Sequence, residues 1–170
     1  MSGAILGIDP SRRTTSAEFR LGSIGGYDHP TYGYQEYVYG KAGSDIPVGG
    51  AAVNLPNGTV ANGEWTALTT TNAAQGTGGG LPVAFAQGAA FADDEYGWLL
   101  QKGTGGVLTY ASAAVGTRLY TTATAGYLED VSTSTLSVVG VALTIATGGA
   151  SAVNTSARVL YPYVGISNVV

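Results

Sequence analysis

The strongest constraint on the fold is a series of short apolar runs after residue 33, each bounded by Gly, Asn or Ser. The runs are rich in Val, Thr, Tyr, Leu and Ile, which suit the half-buried surface of a strand. Gly accounts for 27 of the 170 residues, and no window sustains an apolar period of 3.6 residues over three turns. The pattern predicts an all-β barrel or sandwich, with strands at residues 34–39, 51–55, 64–70, 81–87, 96–102, 107–111, 117–122, 127–131, 137–145 and 157–164.

The N-terminal part of the chain differs from the rest. Residues 1–45 hold half of the charged side chains, and five of the eleven tyrosines lie between residues 27 and 39. The first 33 residues show no sustained period and are interrupted by Gly and Pro. We therefore predict an extended N-terminal arm over residues 1–33, suited to ordering against a partner, followed by a β-rich module over residues 34–170.

Composition excludes several classes of function. The chain has no cysteine, which excludes disulfide scaffolds, thiolate zinc sites, iron–sulfur clusters and cysteine nucleophiles. A pI of about 4.7 argues against a nucleic-acid partner, which requires a cationic surface. No stretch approaches 18 consecutive apolar residues, so we expect no membrane-spanning helix. The first residues lack a basic region, and we expect a protein made in a cytoplasm without export by a signal peptide.

The residues that catalysis needs are scarce. His29 is the only histidine, so no site with several histidine ligands is possible. A Ser-His-Asp triad would have to use His29, and its sequence neighbour Asp28 is badly placed to orient it. We expect His29 to be a turn residue and the chain to be neither an enzyme nor a cofactor-binding protein.

The acidic run Asp93-Asp94-Glu95 leaves one question open. Clustered carboxylate oxygens suit a hard cation such as calcium. Successive residues of a strand point to opposite faces, however, so neighbouring carboxylates do not converge on one ion by default. The simplest interpretation is a solvated turn before the strand at 96–102, and calcium binding is the alternative.

Tyrosine and arginine supply the candidate contact residues. Tyrosine offers a large contact area with only two torsions to fix, which suits protein interfaces. Arginine pairs with the carboxylates of a partner most strongly when both groups are desolvated. We expect Trp65, Trp98, Phe85 and Phe91 to fill the core. The candidate contacts to a partner or to further copies are Arg12, Arg13, Arg20, Tyr27, Tyr32, Tyr34, Tyr37 and Tyr39.

The order of motifs after residue 34 resembles that of the small decoration, or cement, proteins of tailed-phage heads. The motifs are VGGAAV at 48–53, LPVA at 81–84, YGWLLQKG at 96–103, GT at 116–117, GYL at 126–128, VGVAL at 139–143 and RVLYP at 158–162. The resemblance implies a barrel, in some members β-tulip-like, that binds and stabilises the outer surface of a phage capsid. It also implies the major capsid protein and further copies of the chain, such as a trimer, as partners, and it carries over no catalytic residue.

A receptor- or glycan-binding head of a phage fibre or adhesin is the alternative. Such a head requires exposed aromatic side chains and carboxylates clustered in loops, and the sequence offers Trp98 as their centre. The two hypotheses differ in location, because a cement protein coats the capsid in many copies and a receptor head lies at the tip of a fibre.

Overall fold

The computed structural model describes residues 5–55, 66–69, 80–110, 112–131, 136–147 and 153–165. Within these ranges the chain forms twelve strands and no helix. None of the described residues therefore lies in a helix able to cross a membrane. The strands are β1 (Ile5–Leu6), β2 (Arg13–Thr14), β3 (Ile24–His29), β4 (Gly33–Ala42), β5 (Ala52–Asn54), β6 (Thr66–Thr69), β7 (Val83–Ala86), β8 (Tyr96–Thr109), β9 (Leu119–Thr121), β10 (Leu128–Glu129), β11 (Ser137–Leu143) and β12 (Val153–Val164).

The all-β class is confirmed, and every predicted strand overlaps an observed one. The predicted strands at 96–102 and 107–111 form one continuous strand, β8. The glycines between them do not end the strand, because they pair in register with β12. Glycine is required at two of these positions because neighbouring groups occupy the space of a side chain. A Cβ added at Gly105 would lie 2.4 Å from Leu100, and one at Gly106 would lie 2.5 Å from Asn154.

Strand pairing closes into a barrel. The strands β4, β6, β5, β7 and β8 pair in that order, and β8 also pairs with β4, which completes a ring of five. A second circuit runs from β8 through β10, β9, β11 and β12 back to β8. Because β8 has 14 residues, its first half pairs with strands of the first ring and its second half pairs with strands of the second circuit.

The core consists of two clusters, as the alternation of strand side chains requires. On β7, Ala84 and Ala86 belong to one cluster with Phe91 and Leu99, whereas Phe85 belongs to the other. Trp98 joins the same cluster as Phe85. The predicted core positions of Phe85, Phe91 and Trp98 are therefore confirmed, since all three are buried. The fourth predicted core residue, Trp65, lies outside the described residues.

The N-terminal segment is extended, with only two two-residue strands before β3. The boundary predicted at residue 33 nevertheless falls in a hairpin, because β3 pairs with β4 in antiparallel register from Ile24↔Val38 to His29↔Gly33. Residues 24–33 thus belong to the sheet. The short strands β1 and β2 add to it by pairing with β3 and β8, so residues 5–23 lie against the barrel.

Candidate functional site

The tyrosines of β4 divide between the core and the surface. Tyr37 and Tyr39 are 1% and 2% exposed, whereas Tyr34 is 51% exposed. The hydroxyl of Tyr37 donates a 2.8 Å hydrogen bond to Oε1 of Gln35, and burial raises the pKa of Tyr37. Tyr37 and Tyr39 are therefore core residues in this structure, so the predicted contact surface retains only the exposed tyrosines.

Arg13 is committed to internal contacts. Its guanidinium donates to the carbonyls of Pro10 at 2.8 Å, Gln87 at 2.6 Å and Ala89 at 2.7 Å. The guanidinium carbon lies 3.7 Å from the ring centroid of Phe91. Desolvation by burial lowers the pKa of Arg13 to about 10. Arg13 thus fastens the N-terminal segment to the β7–β8 connection and is not presented to a partner.

The other two candidate arginines are exposed. Arg12 forms an ion pair with Glu18 within the N-terminal segment. Arg20 lies in the turn just before β3. Both retain the exposure that a contact residue needs.

His29 organises the β3–β4 turn. Its Nδ1 accepts hydrogen bonds from the backbone N–H groups of Thr31 at 3.1 Å and Tyr32 at 3.2 Å. The imidazole stacks on Tyr32 at 4.6 Å between centroids, and Tyr27 meets it edge-on at 5.9 Å. His29 was predicted to be a turn residue in an extended arm, but it is the last residue of β3, paired with Gly33, and it flanks the turn. Tyr27 and Tyr32 form an aromatic tip around it.

One surface crosses β4, β8 and β12, and we call it the tyrosine face. It consists of the exposed Tyr34, Leu160 and Tyr161 and the half-buried Glu36 and Lys102. Glu36 is in register with Lys102, which is in register with Leu160. Residues paired directly across strands share one face of a sheet.

Tyr161 contacts both charged residues of the tyrosine face. The hydroxyl of Tyr161 donates a 2.6 Å hydrogen bond to Oε1 of Glu36, and Nζ of Lys102 lies 5.5 Å from its ring centroid. The hydrogen bond to Glu36, with some burial, raises the pKa of Tyr161 to about 12. Because Leu160 and Tyr161 are 58% and 49% exposed, the face combines apolar surface with one acidic and one basic group.

Tyr161 is not among the predicted contact residues, because strand alternation does not predict the face on which its side chain lies. Tyr161 has φ of 42°, a left-handed conformation that non-glycine residues seldom adopt. The register of β11 against β12 shifts between Val139 and Val141, and this irregularity faces residues 160–162. A usable signal was the run Leu160-Tyr161-Pro162-Tyr163, in which large side chains follow one another without polar alternation.

A second feature is a cavity of about 190 Å³ between the N-terminal segment and the barrel. We call it the aromatic cleft, and its lining includes Asp9, Arg12, Glu18, Phe19, Tyr96 and Trp98. Ring centroids of Phe19 and Trp98 lie 5.2 Å apart. The cleft places two carboxylates and a guanidinium over an aromatic floor.

The acidic run forms a turn before β8. The N–H groups of Asp93 and Asp94 donate to carboxylate oxygens of Asp45 and Asp93, and Asp94 forms a 2.6 Å ion pair with Lys41. Oε2 of Glu95 accepts the N–H of Ala92 at 2.8 Å. Across the described ranges, no three His, Asp or Glu side chains gather in a group able to hold a metal ion.

No protein-family model, no curated protein and no solved structure matches this chain.

Proposed function

We propose that this protein is a structural virion component that binds the outer surface of a phage capsid and stabilises it. The observation that carries the proposal is the tyrosine face, on which Tyr34, Leu160 and Tyr161 are exposed together. Single exposed apolar residues are ordinary, but grouped ones are typical of interaction surfaces. The resemblance in motif order supplies the capsid as the partner.

The chemistry of the tyrosine face suits a protein partner. Aromatic residues contribute most of the energy of many interfaces, and Tyr161 is held in place by Glu36 before any partner binds. An ordered side chain loses less entropy on binding. Glu36 and Lys102 add one acidic and one basic group to the face. Such a pair can fix the orientation of a protein partner without strongly repelling a surface of either charge.

Weak contacts suffice for such a protein because the capsid repeats them. Copies that also contact one another, for example within a trimer, raise the local concentration of each binding surface. The exposed Tyr32 and Arg20 are suitable for contacts between copies. The proposal includes no enzymatic activity, and it is supported by the commitment of the sole histidine, His29, to a turn.

The proposal is tested by co-sedimentation of the purified protein with capsids of the particle in which it occurs. The variant Tyr34→Ser/Tyr161→Ser removes the aromatic rings of the tyrosine face. The control Val131→Ser/Ile145→Ser changes two other apolar residues that are more than half exposed. We expect the first variant to lose capsid affinity by about 10-fold or more, as loss of interface hot spots does, and the control to bind as the unaltered protein. Equal binding by both variants would contradict the proposal.

A receptor- or glycan-binding head is the second candidate, and the aromatic cleft favours it. That hypothesis requires aromatic side chains and carboxylates grouped in loops near Trp98. Asp9 and Glu18 lie in the N-terminal segment beside Trp98. Trp98 itself is only 3% exposed, so any ligand would contact mainly the half-buried Phe19 and Tyr96.

A further inference from the structure

We propose that the aromatic cleft is a binding site for one pyranose ring of a neutral carbohydrate. This inference rests on the receptor-head candidate and is independent of the tyrosine face. A chain can bind both a capsid and a sugar, so the two proposals stand or fall separately.

The size of the cleft limits the ligand to a small one. Its volume of about 190 Å³ is below the range of roughly 300–1,000 Å³ that is usual for sites of drug-sized ligands. Tyr39 and Trp98 are buried, and the half-buried rings of Phe19 and Tyr96 pack on them, Phe19 at 5.2 Å from Trp98 and Tyr96 at 6.4 Å from Tyr39 between centroids. The exposed parts of Phe19 and Tyr96 offer apolar surface against which the C–H groups of a sugar ring can pack.

The polar groups of the cleft match hydroxyl groups. Asp9 and Glu18 provide acceptors and Arg12 provides donors. Ser11 donates its N–H and its hydroxyl to Oδ1 of Asp9, at 2.9 Å and 2.7 Å. These bonds lower the pKa of Asp9.

The charge of the cleft disfavours an ionic ligand. Two carboxylates and one guanidinium leave a formal charge of −1, which repels anions. A cation would have to compete with Arg12 for Glu18, because these two side chains are already an ion pair. A hydroxyl both donates and accepts, so a neutral polyhydroxy ring can satisfy donors and acceptors without breaking the pair.

The walls of the cleft are held before a ligand arrives. The N–H of Glu18 donates to the hydroxyl of Tyr39 at 3.1 Å. The N–H of Gly7 donates to the carbonyl of Gly26 at 3.0 Å, and that of Arg12 to the carbonyl of Asp9 at 3.2 Å. Fixed walls reduce the ordering that binding costs.

The test is a titration of the full chain with methyl pyranosides of the gluco, galacto, manno and N-acetylglucosamine series. Because Trp65 and Trp98 are the two tryptophans, the Trp65→Phe protein reports Trp98 fluorescence alone. We expect saturable quenching or a spectral shift by at least one sugar, with Kd of about 1 mM, the weak affinity that a small ligand with few contacts reaches. Heteronuclear NMR should show the largest shifts at Arg12, Phe19 and Tyr96.

Two conservative variants locate the site. Asp9→Asn and Glu18→Gln each replace a charged acceptor by a neutral amide oxygen, and each should weaken sugar binding about 3- to 10-fold, because a hydrogen bond to a neutral acceptor is weaker than one to a carboxylate. Asp28→Asn is the matched control, because Asp28 is an exposed carboxylate on β3 outside the cleft. It should leave binding unchanged.

Three results would overturn the inference. One is no saturable response to any sugar at about 50 mM, far above the expected Kd. A second is saturable binding of tetramethylammonium with none of the sugars, which would indicate an aromatic cage for a cation. The third is sugar binding that Asp9→Asn, Glu18→Gln and Asp28→Asn leave equally strong. None of these results bears on capsid binding, which is measured by the variants of the tyrosine face.

Discussion

The hydroxyl of Tyr161 donates a 2.6 Å hydrogen bond to Glu36, joining residues 125 positions apart in the chain. Glu36 lies on β4 and Tyr161 on β12, and β8 runs between these strands. The bond therefore connects the first ring of the barrel to the second circuit across their shared strand. It also fixes the ring of Tyr161 on the exposed surface.

The ionisation of Tyr161 should depend on Glu36. The hydrogen bond to Glu36 is the main cause that raises the pKa of Tyr161 to about 12. We expect Glu36→Gln to lower this pKa toward 10, which an ultraviolet titration at 295 nm against Tyr161→Phe measures. The raised pKa stabilises the fold below pH 10, and this contribution should disappear between pH 10 and 12. An unchanged pKa in Glu36→Gln would show that the bond does not form in solution.

Arg13 should be the arginine on which stability depends most. Arg13→Ala removes hydrogen bonds to the carbonyls of Gln87 and Ala89 and the contact with Phe91. We expect a loss of about 2–4 kcal/mol in the free energy of unfolding, because bonds to a charged group are strong and the carbonyls lose their partner. Arg13→Lys should recover little, since an ammonium lacks the planar fork.

Urea denaturation measures the effect, and Arg20→Ala provides the control. Arg20 is exposed, and exposed substitutions usually change stability by about 0.5 kcal/mol or less. Equal effects of Arg13→Ala and Arg20→Ala would refute the structural role given to Arg13.

Gly25 should tolerate no side chain. A Cβ at this position would lie 2.7 Å from Ile8 and 2.8 Å from Trp98. We expect Gly25→Ala to reduce the free energy of unfolding by about 1–3 kcal/mol, the usual cost of overpacking, and to shift the fluorescence of Trp98. Gly116→Asn is the control, because no atom lies within 4 Å of a Cβ there and its φ of 77° suits asparagine.

Deletion of the N-terminal segment should expose the barrel. Removing residues 1–23 takes Ile8 and Phe19 away from the core cluster that contains Trp98. We expect lower stability and a red shift of Trp98 emission, measured in the Trp65→Phe background. Removing residues 1–33 should be more damaging, because β3 is lost as well. A stable barrel with unchanged Trp98 emission after either deletion would mean that the segment does not pack as described.

The strands after residue 33 were predictable because each apolar run is bounded by turn residues that lie next to it in the sequence. β3 was missed because Gly25 and Gly26 look like loop residues. They lie in a strand because they pair in register with β4, and glycine is required there because Ile8, Trp98 and Tyr34 occupy the space of a side chain. That requirement is tertiary, and no local pattern records it.

The candidate contact residues were only partly predictable, for the same reason. The sequence places Tyr34 and Tyr37 three positions apart, but only the register of β4 against β8 decides which is covered. Arg13 could not be told from Arg12 by sequence, since the burial of Arg13 depends on Gln87 and Ala89, more than 70 positions away. The exposure of the Tyr161 side chain depends on the shift in register between β11 and β12. In each case long-range packing overrides the local pattern.

Electron cryomicroscopy of the intact particle is the decisive test of the proposal that this protein coats a capsid. A barrel of this size should appear as density on the outer capsid surface in many symmetry-related copies. A difference map between particles with and without the protein should assign that density. The face turned toward the shell should contain Tyr34 and Tyr161. Density confined to fibre tips, or no association with a particle, would contradict the account.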